Sequence, residues 1–146
     1  MDFLEGFQTR WANQVSQNPN EIPSYTEILT KDFQIITSSF NFVEQSLNPT
    51  KHSEILAIEA ALAIKKERYL SEEILITALE PCLLCAGAII RVKIPEVIYF
   101  VPAKRGEGIS SYAPESIYLL NHFPKCRLVP KTEIKSEFLS FFKEKR

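Results

Sequence analysis

Residues 73–101 decide the architecture: Glu73-Ile74-Leu75-Ile76-Thr77-Ala78-Leu79, then Glu80-Pro81-Cys82-Leu83-Leu84-Cys85-Ala86-Gly87-Ala88-Ile89-Ile90-Arg91-Val92, then Lys93-Ile94-Pro95-Glu96-Val97-Ile98-Tyr99-Phe100-Val101. The first run, Glu73 to Leu79, is short, apolar and β-branched, and reads as a strand. Pro81 suits the entry of a helix, and Cys82 to Val92 follows as an apolar helical segment. Pro95 to Val101 is a second strand almost without polar interruption, the signature of a strand buried on both faces of a parallel sheet. Strand, helix and strand in succession predict an α/β chain.

The pattern continues outward on both sides. Upstream, Ile55, Leu56, Ile58, Ala61 and Leu62 recur at helical spacing after the Asn48-Pro49-Thr50 breaker, so a helix starts close to His52. Tyr25 to Leu29 and Phe33 to Thr37 flank Lys31-Asp32 and read as a hairpin. Phe3, Phe7, Trp11 and Val15 place a stripe on an N-terminal helix that ends near Asn18-Pro19-Asn20. Downstream come a basic loop from Lys104 to Ser111, a short helix around Glu115 to Leu120, a strand Cys126 to Val129, and a last helix from Lys131 with the stripe Ile134, Phe138, Phe141 and Phe142.

With 146 residues, 45% apolar and 24% charged, the composition is that of one globular domain and excludes disorder, collagen-like repeats and a disulfide-stapled miniprotein. No internal repeat or linker divides it, so residues 1–146 are expected to form a single domain. The apolar runs fall short of the roughly 20 residues that cross a bilayer, so no membrane span is expected. Met1-Asp2-Phe3-Leu4-Glu5 lacks the basic start of a signal peptide and the three cysteines cannot all pair, which points to a reducing cytoplasm. The net charge of −1 hides an imbalance: residues 1–80 hold six Lys and Arg against twelve Asp and Glu, and residues 81–146 hold eleven against six.

Two helix starts carry the chemistry. His52-Ser53-Glu54 opens one, and Pro81-Cys82 opens the other, with Cys85 one turn further on. Thiolates three residues apart on a helix share a face and can close on one ion. An imidazole makes a third ligand and leaves a fourth position for water, the pattern of a catalytic zinc site. Glu54, two positions from His52, can face the same pocket without binding metal and shuttle a proton.

His52-x-Glu54 with Pro81-Cys82-x-x-Cys85 resembles the zinc-dependent cytidine deaminase superfamily. Leu79-Glu80-Pro81-Cys82-Leu83-Leu84-Cys85-Ala86-Gly87-Ala88-Ile89 is similar, within it, to the bacterial tRNA adenosine deaminases. The resemblance implies a three-layer α/β/α fold with a central mixed sheet of about five strands. It implies one Zn2+ per chain on His52, Cys82 and Cys85, with Glu54 as the catalytic proton carrier. It further implies hydrolytic deamination of a cyclic amidine, the wobble adenosine of tRNA becoming inosine in the anticodon loop, and a homodimer. Asn41, eleven residues before His52, matches a substrate-facing asparagine of that family. Pro49-Thr50-x-His52, Asn121-His122 and Phe141-Phe142-Lys143 match further stretches, which makes Asn121 a further candidate substrate contact, and Lys104 and Arg105 are the candidate tRNA contacts. Two other functions stay open: deamination of a free nucleobase or nucleoside such as guanine, cytosine or cytidine, and a non-catalytic nucleic-acid-binding module.

The chain departs from the family where Ser24-Tyr25-Thr26 replaces the usual Val-Gly-Ala, which predicts a narrowed or repositioned pocket wall, and where Phe100-Val101-Pro102 leads into Ala103-Lys104-Arg105-Gly106 one residue short. Plainer readings stand beside the functional ones. Asn41 suits a turn, His122 a helix C-terminus, Lys104 and Arg105 a solvated loop, and Cys126 a small buried site.

Overall fold

The computed structural model describes residues 2–112 and 122–145. A helix, α1 (Asp2–Gln17), precedes the strands β1 (Tyr25–Leu29) and β2 (Ile35–Phe40). A four-residue helix α2 (Val43–Ser46), α3 (Ser53–Lys65), β3 (Ile74–Leu79), α4 (Leu83–Arg91) and β4 (Glu96–Val101) follow. A 3-10 turn (Ile109–Ser111), β5 (Lys125–Leu128) and α5 (Thr132–Lys145) complete the order. The five strands form one sheet in the order β2-β1-β3-β4-β5. β1 runs antiparallel to β2 and β3, while β3, β4 and β5 are mutually parallel, so the sheet is mixed.

Side chains of a strand alternate between faces, and the core divides accordingly. Tyr25 and Leu29, Ile76 and Ala78, and Ile98 and Phe100 pack against Phe7 and Trp11 of α1 and Ile134 and Phe138 of α5. Ile28, Leu75, Val97 and Tyr99 face the other way, onto Ala57, Ile58 and Ala61 of α3 and Ile89 of α4. This is the three-layer α/β/α arrangement expected. Each fully buried large side chain contributes about 1.5–3 kcal/mol.

Two local expectations need correction, and one element is added. β2 begins at Ile35, not Phe33, because Phe33 sits in the left-handed region (φ 63°) of a turn in which Thr30 accepts from the amides of Asp32 and Gln34. α2 had no expected counterpart. Cys82 lies outside α4, at its N-cap with extended backbone (φ −77°, ψ −179°), and His52 holds the same position on α3 (φ −73°, ψ 153°). The short helix expected around Glu115 to Leu120 lies outside the described residues, as does Asn121.

Candidate metal and proton-transfer centre

Both helix N-caps meet beyond the C-terminal end of β3, where α/β sheets place their ligands. His52 Nδ1 lies 3.6 Å from Cys82 Sγ and 3.4 Å from Cys85 Sγ, and the three ligand atoms fall within 4.8 Å of one another. Zinc bonds of about 2.3 Å to sulfur and about 2.0 Å to nitrogen, meeting at a tetrahedral angle, separate the two atoms by about 3.5 Å. The residues present therefore fit zinc in both chemistry and spacing. A hydrogen bond to the backbone of Pro49 also holds the imidazole, the kind of outer contact that orients a ligating histidine.

The protonation balance of the cluster suits a cation. The Cys82 thiol is held down at about 3, mainly by a hydrogen bond from Cys85 and further by His52, against the opposing effect of burial. Cys85 is pushed far up by its bond to Cys82, by burial and by Glu54. His52 is raised, first by its hydrogen bond to Cys82. The groups compete for protons around one point, and a metal there leaves both thiols ionised. Two helix N-termini add partial positive charge.

Glu54 lies in the first turn of α3 and is buried, 4% exposed, with Oε1 3.1 Å from Ser53 Oγ. Its carboxyl is raised above the usual range, chiefly by burial, and it acts on Cys85 through a side-chain hydrogen bond. The structure thus brings His52, Glu54, Cys82 and Cys85 together.

Asn41 is buried one strand away. Its backbone N–H donates to the Ser24 carbonyl at 3.0 Å and its side-chain Nδ2 donates to Glu21 Oε1 at 3.2 Å. Glu21, which the sequence reading passed over, also receives the amides of Glu44 and Gln45 and so ties Asn41 to the start of α2. Glu80 was missed as well. Its buried carboxylate accepts from the amides of Ala103 and Ser110 and from Ser110 Oγ, clamping the loop that carries Lys104 and Arg105. Both lysine and arginine are exposed on that loop. In the sequence this clamp shows only as an acid immediately before Pro81-Cys82.

Tyr25 does not wall the pocket. Its ring packs on Phe7 beneath α1 and its hydroxyl donates to Glu27 Oε2 at 2.6 Å, on the opposite side of the sheet from α3. The residues that face α3 are Ser24 and Thr26, both bonded to Ser53. His122 Nε2 lies 2.7 Å from the carbonyl of Ile94, and the Cys126 thiol faces the carbonyl of Pro124; both are structural contacts.

Residues 11–101 match the family model described as the cytidine and deoxycytidylate deaminase zinc-binding region. A relative named tRNA-specific adenosine deaminase, from Aquifex aeolicus, is 33% identical over 120 residues, covering 82% of this chain and 80% of that one. Among solved structures, a protein from a study of A-to-I editing by tRNA:A34 deaminases is 23% identical, with a TM-score of 0.72 over 89% of this chain and 91% of that one, a likeness of fold. A guanine deaminase from Bacillus subtilis is 27% identical, with a TM-score of 0.61 over 95% and 93% of the two chains.

Proposed function

The chain belongs to the cytidine and deoxycytidylate deaminase family, and from that membership we propose that it deaminates the wobble adenosine of a tRNA anticodon loop to inosine. The convergence of His52, Cys82 and Cys85 beside the buried Glu54 carries the reaction class. The 33% identity to the Aquifex aeolicus tRNA-specific enzyme supports the substrate.

His52, Cys82 and Cys85 would hold the zinc. When bound, zinc supplies Lewis acidity that lowers the pKa of a coordinated water to about 7. Glu54 takes the proton of the attacking water, delivers it to the purine ring nitrogen, and carries the second to the departing amine. The C6–O bond forms first, as the ring nitrogen is protonated, and the C6–N bond breaks second, as the amine is protonated, so adenosine and water give inosine and ammonia. Ser53 donates to Oε1 and so fixes one edge of the carboxylate that carries the proton. Asn41, fixed by Glu21, hydrogen-bonds the base, and Lys104 and Arg105 meet the backbone phosphates. The same reading takes residues 1–146 as one deaminase domain acting in the cytoplasm as a homodimer, with the exposed Leu83 and Leu84 available for a second copy to cover.

The test is incubation of the zinc-loaded protein with an adenosine-containing anticodon stem-loop and, separately, with guanine, cytosine, cytidine and adenosine, scoring inosine and ammonia. Inosine from the stem-loop is the expected result. Turnover of free guanine with none on the stem-loop would replace this reading by base deamination, which the Bacillus subtilis likeness favours as the second choice.

A further inference from the structure

Buried hydroxyls line up beneath the Glu54 carboxylate. Ser53 Oγ lies 2.9 Å from Ser24 Oγ, 2.8 Å from Thr26 Oγ1 and 3.1 Å from Glu54 Oε1. Thr77 Oγ1 stands 2.8 Å from Thr26 Oγ1. Thr26, Ser53 and Thr77 have no exposure and Ser24 has 6%.

Proton counting sets the direction of these bonds. A hydroxyl has one proton and two lone pairs, whereas a carboxylate only accepts. Ser53 therefore donates to Glu54, and its two lone pairs receive Ser24 and Thr26. With the Thr26 proton committed, Thr77 donates to Thr26 in preference to the Tyr25 carbonyl, which is 3.4 Å away. Every proton in the set points towards Oε1. Apolar side chains of similar size would pack the sheet against α3 without the desolvation cost of four hydroxyls. Convergence on one carboxylate oxygen is what the polar set adds.

We propose that Ser53 is a positioning residue for the deamination, fixing the Glu54 carboxylate by Oε1 with Ser24, Thr26 and Thr77 orienting its hydroxyl. The inference rests on the reading of Glu54 as proton carrier.

Its test compares the zinc-loaded parent with Ser53→Ala, Thr26→Val, Glu54→Gln and the Ser53→Ala/Glu54→Gln double variant on the stem-loop. Misplacement of a reacting group by about 1 Å costs up to about a hundredfold. Ser53→Ala is therefore expected to lower kcat about ten- to hundredfold, with KM within about twofold and zinc content unchanged. Thr26→Val keeps the Ser53 bond and should cost less. The double variant should match Glu54→Gln alone, since no carboxylate remains to orient. Unchanged kcat in Ser53→Ala, or the same fractional loss in the Glu54→Gln background, overturns the proposal. Crystal structures of the zinc-loaded parent and Ser53→Ala without substrate give a second readout: the carboxylate should move or spread over several rotamers, and one that stays in place overturns the proposal too. If Ser53→Ala fails to fold, Ser53→Cys, with a weaker donor of similar shape, replaces it in both measurements. A parent inactive on every nucleic acid and base, with Glu54 displaced in the variant, refutes the functional reading and upholds the positioning.

Discussion

At the scale of single residues, the proposed ligand His52, at the N-cap of α3, and the proposed proton carrier Glu54 stand two positions apart, and substitution should separate their roles. Glu54→Ala removes the carboxylate and its hydrogen bond to Cys85 but none of the three ligand atoms, whose spacing is set by the starts of α3 and α4. The variant should keep one zinc per chain by elemental analysis and lose about 10²–10⁴-fold in kcat, the range for general acid–base catalysis. Loss of the metal would show that Glu54 ligates it. Asn41 is a different case, because the protein already uses part of its amide: one Nδ2 proton goes to Glu21, which leaves the other proton and Oδ1 for a base. Asn41→Ala should therefore lower kcat/KM about tenfold, the worth of about one hydrogen bond, with zinc retained. Unchanged efficiency would make Asn41 a turn residue only.

The elements divide into those legible from sequence and those that tertiary contacts create. β3, α4 and β4 are legible because each is a continuous apolar run with its own period, and His52, Cys82 and Cys85 because few chemistries use those residue types at helix starts. α2 was not legible. Four residues cannot sustain a helix by propensity, and this one is held by the Glu21 carboxylate on the amides of Glu44 and Gln45. Glu80 and the hydroxyls around Ser53 were hidden for the same reason: singly they are ordinary polar residues, and only the assembled sheet buries them. The Glu80 clamp explains one glycine. A Cβ at Gly108 would stand 2.2 Å from Glu80 Cδ, although its backbone (φ −106°) is open to any residue. Gly108→Ala should displace the loop bearing Lys104 and Arg105, lowering kcat/KM on the stem-loop about tenfold or more through misplaced contacts. Gly87→Ala on α4 is the control. A Cβ there meets nothing within 4 Å, so the change should leave turnover intact and raise stability by about 0.5–1 kcal/mol in a thermal or denaturant melt. Equal activity in both variants would mean that the loop does not need the clamp.

Across the whole molecule, charge distinguishes the two substrate classes more sharply than the zinc centre, which would serve either. Acidic residues dominate the first 80 positions and basic residues the rest, and Lys104 and Arg105 stand exposed on the loop that Glu80 ties to the strand end before Cys82. A stem-loop meeting these and the exposed Lys143 releases counterions, each contact contributing a slope of about −0.9 for duplex or −0.7 for single strand in log K against log salt. Three contacts predict well over tenfold weaker binding at 200 mM than at 50 mM salt, on the order of the exponent these slopes give. The Lys104→Ala, Arg105→Ala double variant should flatten that slope by about 1.5 units while zinc content and the melting midpoint stay put. A free base is neutral and displaces few ions, so its turnover would be nearly independent of salt. Stem-loop affinity across this range, for parent and double variant, therefore tests the substrate without reference to catalysis: a flat response in the parent would place the basic half outside the binding face and transfer the assignment to free-base deamination.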